Sequence, residues 1–299
     1  GFSNFAISFS IISILTGAIL LFGYGLKFAG PIINTVGWPL GSFFVLCIAA
    51  SMAELASAYP TAGGLYYWAY RLGGKTWAWV TAWLNMLGQI TITAGINMAA
   101  AIYLTGMFVF LFNIPGDATV PILGAVNGWN FWLFVMAIIM IPQVLINVMG
   151  IKLTTRLSDF SVYWHIGGVL IIALLLTIFG KYHNSLAFMF STTQTVSPAD
   201  VAGTFAVGTL TVDSIMLKII PGLNGLYGAG IFGFAFVLAL LQAQWTYTGY
   251  DASAHMAEET YLARMNSAWG VFLSVAVSAV VGYVSLLALT NSIPPDKIA

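Results

Sequence analysis

The chain has 299 residues, of which 60% are hydrophobic and 6% charged, with nine Lys plus Arg against nine Asp plus Glu. Soluble domains carry about 25% charged residues, so the composition excludes an ordinary soluble domain and points to a membrane. Zero formal charge, one cysteine and three histidines supply neither a basic surface for nucleic acid nor a zinc-type cluster.

Stretches without Asp, Glu, Lys or Arg run from Phe28 to Ala53, Thr76 to Gly116, Ala118 to Ile151, Phe160 to Gly180, Ile219 to Tyr250 and Met265 to Pro295. Each is long enough to cross about 30 Å of hydrocarbon as helix. The expected fold class is therefore all-α integral membrane, because the apolar runs are long and do not alternate with polar residues as barrel strands do. Seven spans are expected: Phe5 to Leu26, Gly37 to Tyr59, Thr81 to Leu104, Trp129 to Met149, Phe160 to Gly180, Leu226 to Tyr250 and Ser267 to Thr290. Turns separate them at "KFAGPIINTVG", "YPTAGGLYYWAYRLGGK" and "NIPGDATVPILGAVNG". Residues 181–225 form the longest connection, extramembrane, with a short helix expected around Val207 to Ile220.

With a cytoplasmic N-terminus, Arg71, Lys75, Lys152, Arg156 and Arg264 fall inside and Lys27, Lys181, Lys218 and Lys297 outside, and the excess of inner positive charge favours that orientation. Trp38, Trp68, Trp77, Trp129 and Trp269 lie near span ends and read as interfacial anchors. Cys47, inside an apolar run, reads as a buried thiol.

Two spans contain residues that interrupt an apolar pattern. The first holds Thr16 and Gly17 near its middle; the sixth ends in "QAQWTYTGYDASAHMAEET", with Thr246, Thr248 and Gly249 before Asp251. An unpaired backbone group in hydrocarbon costs several kcal/mol, so a true break must face protein, water, an ion or a ligand. The two spans lie five apart, the offset of an inverted five-helix repeat. If both break, N–H groups at Ala18 and Ile19 begin a second half-helix and can receive a carboxylate. Carbonyls around Ile14 to Thr16, and around Trp245 to Tyr247, can receive an ammonium, so the expected substrate is a small zwitterion or amine. Unbroken helices remain open as readings, with Thr16-Gly17 as a small-residue packing face and Trp245 to Asp251 as a loop entry.

Tyr250 and Asp251 are candidates for gating and coupling, as Asp251 can accept from freed backbone groups or carry a proton. His165, in "DFSVYWHIGGVLIIALL", either couples a proton to transport or serves helix packing. Glu54 reads as a loop-capping group paired to a cation. Asn85, Gln89, Thr91, Thr93 and Asn97 give the third span a polar face, lining a cavity or joining helices. Asn147, Gln242 and Gln244 are weaker signals.

"MAELASAYPTAGGLYYWAYRLGG" (Met52 to Gly74), "GYDASAHMAEET" (Gly249 to Thr260) and "NSAWGVFLSVAVSAVVGY" (Asn266 to Tyr283) resemble the amino acid/polyamine/organocation permeases, in the branch of γ-aminobutyrate, choline and broad-range amino acid permeases. The resemblance implies a five-plus-five inverted-repeat (LeuT-like) transporter with helices one and six broken. In that fold residues 1–180 are the first repeat and 226–299 the start of the second, within one transmembrane domain in the cell membrane. It places the family's Gly-Ser-Gly-like break on Leu15-Thr16-Gly17, with Leu in place of a small residue, and its helix-six pattern on Trp245, Tyr247, Gly249, Tyr250 and Asp251. It also places His165 where some relatives use a Lys in place of sodium. Family members carry about five further spans, so the resemblance implies a partial chain.

The function expected is secondary transport of an amino acid or related amine, coupled to a proton or sodium or to exchange, without cofactor or metal. A solute channel, a membrane enzyme and a non-transporting truncated product are the alternatives. Neither a GxxxxGK nucleotide loop nor a clear catalytic constellation is present.

Overall fold

Inside hydrocarbon a backbone has no water to bond, so a chain with so little charge closes its hydrogen bonds within each segment. The computed structural model describes residues 1–112, 119–120, 124–125, 128–192, 206–207, 210–211 and 232–294. Its helices are α1 (Phe2–Ile11), α2 (Phe22–Ala29), α3 (Trp38–Ala58), α4 (Gly64–Phe112), α5 (Gly128–Val148), α6 (Ile151–Phe179), α7 (Leu186–Met189), α8 (Phe232–Ala239), α9 (Leu241–Tyr247), α10 (Ala252–His255) and α11 (Ala263–Ser292). Two π-helical turns, Ile14–Ala18 and Ile33–Gly37, flank α2, and a 3₁₀ turn covers Ala257–Glu259. Two short antiparallel ladders pair β1 (Thr119–Val120) with β2 (Gly124–Ala125) and β3 (Ala206–Val207) with β4 (Leu210–Thr211).

Among the described residues four helical stretches are long and apolar enough to cross a membrane: Ile33–Ala58, Gly64–Phe112, Lys152–Phe179 and Ala263–Ser292. The pair Phe2–Ala18 and Phe22–Ala29, bent by 57° at its break, passes the same test when the two are counted as one span. The other two expected spans correspond to α5, which contains Pro142 and so lacks one rung of its ladder, and to α8 with α9. Residues 226–231 of the expected sixth span lie outside the described residues, as does most of the 181–225 connection with Lys218.

The chain divides into two compact units. The first comprises Gly1–Ser10, Met52–Val162 and Asp251–Val271. In it α4 packs along α5, and Gln143 donates to the buried Asn97 at 2.9 Å, one polar clasp between two apolar helices. The second comprises Ile11–Ser51, Tyr163–Tyr250 and Phe272–Ala299. There α8 lies on α2, and Phe28, Ala29, Ile33 and Ala239 bury one another with Tyr24, Ile32 and Phe236 around them. Gly30, at φ 76°, ends α2, and Pro31 after it prevents the helix from resuming at once.

Several expectations are corrected. The stretch after the second span, expected as a turn, is helical from Gly64, with the ladder interrupted only at Gly74 (φ 81°). Its run of Leu65, Tyr66, Tyr67, Trp68, Ala69 and Tyr70 holds helix despite the flanking glycines. Trp38 and Trp68 are buried, at 2% and 3% exposure, with their indole N–H groups on the carbonyls of Ala279 and Tyr59. Each ring fills an interior site because its one donor finds a backbone acceptor there. Trp77 and Trp269 are exposed, as anchors should be; the Trp129 side chain lies outside the described residues.

Cys47 is exposed rather than buried. An apolar run in lipid need not be covered by protein, and the same holds for Phe110, Ile141, Val148 and Phe179. Glu54 is exposed and has no partner among the described residues. Val207, expected to start a helix, belongs instead to the β3–β4 ladder, in a stretch whose Val and Thr content favours strand; residues 212–220 lie outside the described residues. Gln89 and Thr93 are exposed and bond locally, Thr93 to the Gln89 carbonyl at 2.7 Å.

Candidate functional site

The first break opens three residues before Thr16, at Ser13. Ser13 turns extended, at φ −100° and ψ 98°, and its Oγ accepts from the Thr16 N–H at 3.1 Å and from the Thr16 hydroxyl. A side chain thus replaces the carbonyl that a continuing helix would supply. The chain then winds as a π-turn over Ile14–Ala18 before α2 begins at Phe22.

Ala18 and Ile19 therefore do not start the second half-helix, and the Ile19 N–H is not free: it donates to the Ile14 carbonyl at 3.3 Å. The N–H groups of Leu15 and Thr16, nearer Ser13, are taken by side chains instead. Leu15 donates its N–H to Nε2 of His165 at 3.3 Å, while Gly17 donates to the Ser13 carbonyl at 2.6 Å. His165 is 7% exposed, so α6 delivers an imidazole directly to the broken backbone.

The second break follows α9. Thr248 leaves helical geometry at φ −56° and ψ 133°, and Gly249 adopts φ 101°. Only glycine takes that conformation without strain, and a Cβ there would also collide with the Ile11 side chain. The Thr248 N–H falls back on the Trp245 carbonyl at 3.1 Å, and its hydroxyl on Gln244 at 3.1 Å. The last carbonyls of α9 are consequently directed out of a helical ladder at this point.

The two breaks meet. Gly17 lies so close to Thr246 that a Cβ on it would stand 2.8 Å from the threonine Oγ1 and 2.9 Å from its Cα. One turn earlier, Gln242 is 2% exposed and donates from Nε2 to the Ala18 carbonyl at 3.3 Å and to Asn34 Oδ1 at 3.1 Å. Asn34 passes the link on to Thr290 at 3.0 Å. The oxygen of Gln242 faces Gly25, where any side chain would overlap it. Gln242, a weak signal in sequence, is therefore the polar hub of the second unit. The signal that points to it is a pair of amides, Gln242 and Gln244, in the otherwise apolar run "FVLALLQAQW".

Tyr247, Tyr250 and Asp251 separate. Tyr247 is buried, its hydroxyl 2.6 Å from Ser42 Oγ and its ring centroid 5.1 Å from that of Trp38. Tyr250 is half-buried at the end of the turn. Asp251 belongs to the first unit and pairs through Oδ2 with His255 Nε2 at 3.3 Å, a partner the sequence reading left out although it stands four residues on. Within the described residues no group of three or more His, Cys, Asp or Glu is arranged to hold a metal ion.

Residues 2–299 match the amino acid permease family. The chain belongs to that family. This permease chain is 33% identical over 297 residues to the amino-acid permease BAT1 of Arabidopsis thaliana, covering 98% of the chain and 51% of the relative. The Oryza sativa BAT1 homolog is 32% identical over 295 residues, covering 97% of the chain and 50% of the relative. A GABA-specific permease of Saccharomyces cerevisiae is 24% identical over 307 residues, covering 98% of the chain and 46% of the relative. The permease chain thus spans about half the length of the curated relatives it matches. No solved structure matches it. Its family is one of permeases, not of enzymes.

Proposed function

We propose that this chain contributes the substrate site of a secondary transporter that carries an amino acid or related amine across a membrane by alternating access. The observation that carries the reading is the pairing of the two breaks at Gly17 and Thr246, with the Leu15 N–H held by His165 rather than by a carbonyl. A folded helix keeps its N–H groups in backbone bonds, and prising one loose costs several kcal/mol. Here the Leu15 and Thr16 donors rest on an imidazole and a hydroxyl. Both are side chains that can turn away, so a substrate carboxylate can take the two N–H groups without further unwinding. Carbonyls at the end of α9 receive the ammonium, completing a site for a zwitterion from Leu15, Thr16, Gly17, Ala18 and Ile19 on one side and Trp245, Thr246, Tyr247, Thr248 and Gly249 on the other.

His165 is the coupling group in this reading. Protonation of Nε2 removes the lone pair that accepts from Leu15, frees that N–H, and sets a positive charge beside the incoming carboxylate. Proton and substrate then bind together, which is what coupled uptake requires. Tyr250 and Asp251 act in gating. Two broken helices five spans apart support the five-plus-five inverted repeat, and the excess of inner positive charge supports a cytoplasmic N-terminus in the cell membrane. Because α-amino acids and γ-aminobutyrate both present a carboxylate and an ammonium, the site accepts the class, and spacing selects within it.

The test is uptake of labelled amino acids by the full-length protein in proteoliposomes, with sodium and pH gradients imposed separately. Saturable counterflow without chemical change of the substrate supports a carrier. Currents far above turnover rates would indicate a channel, and an altered product an enzyme.

A further inference from the structure

Within the second unit, the connection that follows α6 is fastened by hydrogen bonds at both ends before it leaves the described residues. At its start Asn184 closes on the C-terminal end of α11. Its side-chain amide donates to the carbonyls of Thr290 at 3.1 Å and Ile293 at 2.8 Å, and its backbone N–H donates to the Asn291 carbonyl at 2.9 Å. These are carbonyls that the end of a helix leaves without an internal donor. Ser185 then caps α7, accepting from the Phe188 N–H at 3.3 Å. At the far end the Met189 carbonyl accepts from the Thr35 hydroxyl at 2.9 Å, and the Ser191 carbonyl accepts from the Ile32 N–H at 3.1 Å. Residues 184–191 thus bridge the end of α11 and the π-turn that joins α2 to α3.

Little apolar burial holds this bridge. Met189 is the buried residue of α7, and it lines an open groove of about 620 Å³ between α6 and α11 rather than a filled core. Leu186 and Phe190, on either side of it, are 75% and 54% exposed. A segment fastened by hydrogen bonds at its ends, with few buried contacts between them, opens at a lower free energy than the long helices it joins.

What the bridge fastens leads to the first break. Asn34, in the same π-turn, donates to the Thr290 hydroxyl at 3.0 Å and accepts from Gln242 at 3.1 Å, and Gln242 donates onward to the Ala18 carbonyl at 3.3 Å. Tyr283 of α11 adds a bond to the Thr35 carbonyl at 3.1 Å. Both anchor points therefore reach Asn34: Thr290 bonds it directly, and Thr35 follows it in the chain. No charged group takes part in these bonds, so this path is separate from the one that runs through His165.

We propose that residues 184–191 are a strap that holds the turn between α2 and α3 against the end of α11, and that its release lets Asn34 and Gln242 withdraw from the Ala18 carbonyl at the first break. The proposal rests on the transporter reading for its consequence alone: α2 is the half-helix beyond that break, so a fastened strap holds that half in place and a released one lets it move.

Hydrogen exchange in the full-length protein reads the strap without transport. Asn184→Ala removes the side-chain bonds to α11 and leaves the groups of Ile32 and Thr35 intact. Exchange over residues 29–36 and 184–191 should quicken by about tenfold, while residues 163–176 of α6 keep their wild-type protection. Unchanged exchange over residues 29–36, or an equal rise in α6, overturns the proposal. Should Asn184→Ala fail to fold, Thr35→Val takes its place: without the hydroxyl at Met189, exchange over residues 184–191 should quicken by about the same factor, and an unchanged rate overturns the strap. In proteoliposomes Asn184→Ala should alter uptake of labelled amino acids by about threefold or more at equal protein density. A released strap with wild-type uptake overturns its link to the break. Uptake by neither protein would refute the transporter reading, and exchange would still decide the strap.

Discussion

Leu15 gives its N–H to an imidazole where a helix would give it to a carbonyl, and the proposed function makes that histidine the control on the backbone at the break. Replacing His165 by Gln keeps an acceptor but removes the titration. Uptake should persist in His165→Gln while its dependence on an imposed pH gradient is lost, and His165→Ala should lower uptake by about tenfold or more at constant surface expression. Coupling unchanged in both variants would remove His165 from the mechanism. Gln242 makes a different demand: Gln242→Leu leaves the Ala18 carbonyl and Asn34 Oδ1 without their donor inside a packed site. A loss of about 1–3 kcal/mol in thermal or denaturant unfolding is expected, and a variant as stable as the wild type would mean that its hydrogen bonds are dispensable.

At the scale of elements, the account depends on where helices stop. Gly249 combines φ 101° with a backbone that touches Ile11. Gly249→Ala should therefore destabilise the protein by about 1–3 kcal/mol, while Gly88→Ala, in open space in the middle of α4, should cost nothing. Equal effects on unfolding would show that the second break is not under conformational constraint. Both breaks were legible because Thr16-Gly17 and Thr246 to Gly249 disturb otherwise apolar runs. Their details were not, because a π-turn and an extended Ser13 arise where one hydroxyl replaces a carbonyl as acceptor, and "FSIISIL" has no glycine or proline to announce that at Ile12 and Ser13. The helix from Gly64 was hidden for the opposite reason: its glycines suggested a turn, and aromatic packing prevailed.

For the whole molecule, composition alone determined the class. Residues 6% charged and 60% hydrophobic can only be solvated by lipid, and the exposed faces of α4 and α6 carry the apolar side chains that this requires. What composition could not decide was which apolar residues face lipid and which face protein. Cys47 and Trp38 exchanged places for that reason: periodic packing, not hydropathy, separates the two sides of a membrane helix. The candidate site was legible as two segments, but the contact of His165 with Leu15 and of Gln242 with Ala18 spans 150 and 224 residues, and such pairs follow only from the folded chain.

The most direct measurement of the central claim is competition for labelled substrate binding by matched ligands in the full-length protein: an amino acid, its decarboxylated amine, and its deaminated acid. If the paired breaks hold both ends of a zwitterion, the amino acid should compete at least about tenfold better than either truncated ligand, and Gly17→Val, which drives a side chain into Thr246, should abolish binding. Equal competition by all three ligands, or full binding by Gly17→Val, would contradict it.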